Sequence, residues 1–195
     1  MSAKYEMILK EEILFAKNVA LQIRALKPQP LWHLLIPFKF LLEFFAAKRE
    51  VDRFADSFLM PRKLALDAAH QFVMGEDRDR VLASVGNHLR NWLSEQKLFS
   101  RPVYQKLMAE VDVLIDHYVK LLQAEGNSYE VLVRNAYQTR EPYAALLQEL
   151  STLEKAIDEA VVQMAGGDEI MRKHLTAKQE ILAESRARKL RSIFK

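Results

Sequence analysis

An all-α fold, a bundle of six or seven mostly antiparallel helices, follows from three features of this sequence. Glycine and proline number only five and six in 195 residues, while Ala, Leu, Glu, Lys, Gln and Arg dominate, so local propensity favours helix almost everywhere. Apolar residues recur three or four apart through successive stretches, the spacing of one buried helix face. No run alternates with period two for long enough to read as a strand. Half the residues are hydrophobic and 28% are charged, the balance of a folded chain with a substantial core.

Ser2 is placed to cap a first helix to about Leu26, with Tyr5, Ile8, Phe15, Val19 and Ile23 on its inner face, and Pro28 and Pro30 stop it. Pro37 suits the first position of a second helix, whose stripe is Phe40, Phe44, Ala47, Val51, Phe54 and Phe58. Met60 precedes Pro61 and is biased away from helical angles, so a break is expected there, with a kinked continuous helix as the alternative. Leu64, Leu66 and Phe72 carry the continuation to Gly75, a left-handed cap.

Asp77 opens the next helix, where Val81, Leu82, Val85, Leu89, Trp92 and Leu93 face inward and Gly86 points to a close helix crossing. Ser100 caps the strongest amphipathic stretch, from Tyr104 to Leu122, ended by Gly126. Asn127 with Glu130 resembles a capping box for a short helix to about Gln138. Thr139 then caps a long helix with Tyr143, Leu150, Ile157 and Met164 seven apart, broken by Gly166 and Gly167, and Asp168 caps a last one. The domain reading is a bundle over residues 1–167, with 168–195 as a C-terminal helix and potential appendage.

The segment 31–47, LWHLLIPFKFLLEFFAA, is apolar almost all the way round any helix it forms. Ten of its seventeen residues are Leu, Ile or Phe, contributing roughly −3 to −6 kcal/mol to membrane insertion. Lys39 and Glu43 oppose that at about 2.5 to 3.5 kcal/mol each, and His33 and Pro37 add to the penalty. Spanning a bilayer is therefore disfavoured. Burial at the centre of a bundle, or contact with a partner or membrane interface, accounts for the segment better.

Charge is uneven. Residues 168–195 hold eight basic and four acidic side chains, a net of +4, leaving −1 for the remainder. Arg186, Arg188, Lys189 and Arg191 lie among Leu182, Leu190, Ile193 and Phe194. This tail reads as a frayed end, as a membrane-surface anchor, or, least well, as a nucleic-acid contact, since it offers a single aromatic for stacking.

Cysteine is absent, which excludes disulfides and thiolate chemistry. No paired Glu-x-x-His, Gly-x-Ser-x-Gly, phosphate-cradling glycine loop or His-Glu-x-x-His occurs, so neither cofactor nor metal is expected and enzymatic activity is disfavoured. Weak candidates for a metal are Asp67 with His70, and Asp112 and Asp116 with His117. His88 is expected to be a buried structural residue, and Arg134, Asn135, Tyr137, Gln138 and Arg140 to form a solvated polar knot rather than an anion site.

These observations lead to a non-enzymatic docking protein. Its contacts would be Trp32, Phe38, Phe40, Leu41, Phe44 and Phe45 together with Arg186, Arg188, Lys189 and Arg191. The expected partner is another protein or an anionic membrane surface, with self-association open. Lacking the order of a secretory signal at its N-terminus, the chain is expected in the cytoplasm, free or peripheral at the membrane. The alternative is a bundle that binds a small apolar or anionic ligand between its helices.

Overall fold

The computed structural model describes residues 3–25, 37–166 and 169–195, with the backbone alone for 37–50, 53, 170 and 171. Seven helices are seen among them: α1 Ala3–Ala25, α2 Pro37–Val73, α3 Arg78–Glu95, α4 Arg101–Gln123, α5 Tyr129–Tyr137, α6 Arg140–Ala165 and α7 Glu169–Ile193. Among the described residues there is no strand, and no helix is long and apolar enough to cross a membrane.

The caps follow elementary backbone chemistry. Asp77 and Ser100 accept hydrogen bonds from the amides of Arg80 and Val103, satisfying donors that the first turns of α3 and α4 leave open. Gly75 and Gly166 take the positive φ angles of 87° and 60° with which α2 and α6 turn away. At α5 the sequence reading is off by one: Ser128, not Asn127, is the cap, accepting from the Val131 amide at 3.3 Å. Thr139 sits at the cap of α6 but makes no side-chain capping bond. Ser2, Asp168 and the connector through Pro28 and Pro30 lie outside the described residues.

The expected break at Met60 does not occur. α2 runs unbroken through Pro61 for 37 residues, the continuous-helix alternative, with packing on α1 and α4 offsetting the hydrogen bond lost at the proline. The Arg62 guanidinium donates to the Phe58 carbonyl at 3.3 Å one turn back. α1 runs antiparallel to α2: the Tyr5 hydroxyl donates to Asp67 near one end, and Ala16 and Ala20 pack on Val51 and Ala55 near the other. α6 likewise opposes α4, with Tyr143 beside His117 and Ala160 among Leu107 and Val103.

The largest core cluster lies between α1, α2, α4, α5 and α6, around Ile8, Leu66, Ile115, Tyr118, Leu132 and Tyr143. Gly86 lets α3 approach α4 closely, since a β-carbon there would stand 2.8 Å from the Tyr104 hydroxyl oxygen. The basic tail is not frayed: α7 packs on α1, α5 and α6, with Leu182 and Ile193 buried, Ile193 completely.

Candidate functional site

Charged side chains occupy the inner register of five helices. Glu12 falls four residues after Ile8, Arg62 four after Phe58, Glu110 three after Leu107, Glu154 four after Leu150 and Arg186 four after Leu182, so the stripe that buries the apolar residues buries these too. They meet around Arg62, 4% exposed. Its Nε lies 3.3 Å from Glu12, Nη1 3.5 Å from Glu110 and Nη2 2.9 Å from Glu154, while the Phe58 ring lies 3.8 Å from the guanidinium carbon. Arg186 reaches Glu154 from the other side with two bonds of 2.8 and 2.7 Å and donates to the Ser151 hydroxyl at 2.9 Å.

Only arginine serves here: its planar fork engages two acceptors at once and it stays charged when buried. Two guanidinium groups face three carboxylates, and the three are not equivalent. Burial works to raise Glu154, but the charges of Arg186 and Arg62 prevail and hold it below the ordinary carboxylate range. Glu110 has only the long contact to Arg62, and burial pushes it up to about 7 against the pull of that cation. Behind the cluster, His117 bonds through Nδ1 to the Tyr137 hydroxyl at 2.7 Å. Burial, followed by the charges of Lys189, Lys120 and Arg62, pushes it down to about 3. Burial, then the Glu12 charge, drives the Tyr118 hydroxyl well above its usual value.

Three members of this cluster, Arg62, Glu110 and Glu154, line a cleft of about 230 Å³ between α2, α3, α4, α6 and α7. Its walls are mainly apolar, including Phe58, Pro61, Leu107, Ile157, Val161 and Leu182. Pro61 lacks the amide that would otherwise bond the Ser57 carbonyl, and both residues lie on the wall. At the rim Lys178 pairs with Asp158 at 2.5 Å, and Gln179 donates to the same carboxylate at 3.0 Å. A larger groove of about 740 Å³ separates α2 from α3, but its sides carry Asp56, Lys63, Asp67, Ser84, Asn91 and Glu95. His88, expected in the core, is exposed on that groove with Nδ1 2.8 Å from the Ser84 carbonyl oxygen, because it sits one position off the inward stripe through Leu89.

Of the docking residues expected from sequence, only Arg186, Arg188, Lys189 and Arg191 have described side chains. Trp32 lies outside the described residues, as do the side chains of Phe38, Phe40, Leu41, Phe44 and Phe45 in the first turns of α2. Arg186 corrects the reading of the tail: it is 5% exposed and committed to Glu154, so it is a core residue rather than a surface contact. Lys189 pairs with Glu11 at 3.0 Å and lies over the Tyr129 ring at 4.0 Å. Arg188 and Arg191 are exposed, the former donating to Gln22 at 2.8 Å.

The weak metal sets do not assemble. Asp67 accepts from Tyr5 while His70 packs edge-on against the same ring, and Asp116 faces Arg78 while His117 turns inward. No group of three or more His, Asp or Glu among the described residues is arranged to hold a metal ion. The polar knot serves the backbone: Arg134 donates to the Ile193 carbonyl, Asn135 to that of Glu125 and Gln138 to that of Asn135, whereas Tyr137 is buried.

No protein-family model, curated protein or solved structure matches this chain.

Proposed function

We propose that this protein is a ligand-binding helical bundle whose cleft over Arg62, Glu110 and Glu154 takes up a small, mainly apolar molecule. The observation that carries this reading is the cleft itself, about 230 Å³ with mainly apolar walls, unlike the larger and more polar groove between α2 and α3. Apolar is favoured over anionic by the floor and rim, where Glu110, Glu154 and Asp158 outnumber Arg62 and Lys178. Calorimetric titration with 1-octanol tests it. Saturable binding is expected in the wild type and should be lost in Val161→Phe, which fills the cleft from α6; no saturable binding to the wild type rejects the reading.

A docking role for segment 31–47 with the basic end of α7 is a separate proposal. It is supported by Arg188 and Arg191, exposed and three residues apart on one side of α7. Cosedimentation with anionic and with neutral vesicles separates the outcomes: absence from both pellets rejects membrane docking.

A further inference from the structure

The carboxylates at the floor of the cleft differ in how well they are paired. Glu154 receives three hydrogen bonds of 2.7 to 2.9 Å from two guanidinium groups. Glu110, whose side chain is 5% exposed and lines the same cleft, is met among the described residues only by Arg62 Nη1 at 3.5 Å, the longest ion pair in the cluster. The charges that act on it are Arg62 of α2, Glu154 of α6, and Arg186 and Lys178 of α7; Glu12 of α1 shares Arg62, and Asp158 of α6 holds Lys178. Counting Glu110, four carboxylates face three cations. The site lacks one positive charge, and the gap falls at Glu110, the least well paired of the carboxylates that line the cleft.

We infer that the ligand is a lipophilic primary amine, its ammonium group donating to Glu110 and its hydrocarbon chain lying along Phe58, Leu107, Ile157 and Val161. This rests on the reading of the cleft as a ligand site. The ammonium supplies the missing charge, and a charge-assisted hydrogen bond to a carboxylate almost wholly removed from water is the strong kind. Without ligand the imbalance is relieved by a proton, in keeping with burial having pushed Glu110 up to about 7. Binding of R–NH3+ to the protonated site therefore releases one proton to solvent, so affinity rises with pH until Glu110 is fully ionised. A cleft of about 230 Å³ has room for a short hydrocarbon chain rather than a long one.

The test is calorimetric titration of the full chain with 1-octylamine, 1-octanol and octanoate at pH 6 and pH 8. Octylamine should bind at least about tenfold tighter than octanol at pH 8 and weaken about tenfold at pH 6. Octanol should be indifferent to pH and octanoate the weakest of the three. Glu110→Gln should bring octylamine to the level of octanol and abolish the pH step while octanol still binds. Octylamine no tighter than octanol, octanoate tighter than octylamine, or an amine preference that survives Glu110→Gln overturns the inference but leaves the cleft reading standing. Failure of all three compounds to saturate the wild type removes the cleft reading itself. Should Glu110→Gln not fold, the wild-type comparison across pH decides: a step of about tenfold supports the amine, and none overturns it.

Discussion

Arg186 of α7 grips Glu154 of α6 with two parallel hydrogen bonds of 2.7 and 2.8 Å, both partners almost fully removed from water. With Arg62 on the opposite side of the same carboxylate, the pair ties α2, α6 and α7 together at one point in the core. Stripping water from such ions costs several kcal/mol each, so the arrangement is selective more than stabilising, and its disruption is more costly than its formation is favourable.

Arg186→Leu should therefore lower the free energy of unfolding by about 3 to 5 kcal/mol, the cost of leaving a buried charge short of a partner. Arg186→Lys should recover only part of this, because an ammonium cannot reproduce the fork. Urea denaturation at neutral pH reads both; a midpoint in Arg186→Leu equal to wild type would contradict this account of the core.

Glu110 gives stability a defined response to pH. Its carboxyl rises from 4.5 in the unfolded chain to about 7 in the folded one, so the folded state keeps a proton that the unfolded state has released. The contribution is complete below pH 4.5 and is lost as pH rises through about 7. In Glu110→Gln that decline should vanish, and urea midpoints between pH 5 and 8 should stay flatter than those of wild type.

His117 acts in the opposite sense. Its folded value lies near 3 against 6.5 unfolded, so its contribution is present above pH 6.5 and is lost as pH falls towards 3. His117→Phe should be less stable at neutral pH by about 1 to 3 kcal/mol, because the Tyr137 hydroxyl loses its partner. It should also lose less stability on acidification than wild type. Parallel acid transitions for the two proteins would refute the assignment.

Gly86→Ala tests the crossing of α3 and α4. Helix propensity alone favours alanine by about 1 kcal/mol, but its methyl would meet the Tyr104 hydroxyl oxygen at 2.8 Å. Overpacking of that kind costs about 1 to 3 kcal/mol, so the single variant should be destabilised. In a Tyr104→Phe background the same change should be neutral or stabilising. Additive effects in the double-mutant cycle would show that the two residues do not meet.

At the start of α5, Ser128→Ala should cost about 1 kcal/mol through loss of its bond to the Val131 amide, whereas Asn127→Ala should stay within about 0.5 kcal/mol. Thermal unfolding distinguishes them, and the reverse order would restore Asn127 as the cap.

Much of the helical framework was legible without coordinates. Asp77 and Ser100 announced two starts, Gly75 and Gly166 two ends, and Gly86 a close approach, because caps and left-handed turns depend on residues a few positions apart. Asn127 misled, since Ser128 beside it is an equally good acceptor and only the path of the chain chooses. Pro61 misled for a different reason: its preference for a break is local, and the packing of α2 on α1 and α4 outweighs it.

The candidate site was legible only in part. Glu12, Arg62, Glu110, His117, Glu154 and Arg186 all stand at inward positions of their stripes, and attention to charges within those stripes would have marked them as buried. Their pairing was not readable, nor was the apolar cleft above them, because partners 32 to 92 residues apart meet only through the way α2, α4, α6 and α7 cross.

The sequence by itself determined that this chain is helical, where most described helices begin and end, and which face of α1, α3 and α4 turns inward, since all of these depend on spacings of three or four residues. The tertiary structure alone decided which buried charges meet, that Arg186 belongs to the core and not to the tail's surface, and that Glu110 is the carboxylate left underpaired at a cleft. Those outcomes arise from Coulomb and packing energies between helices distant in sequence, which periodicity along the chain does not encode.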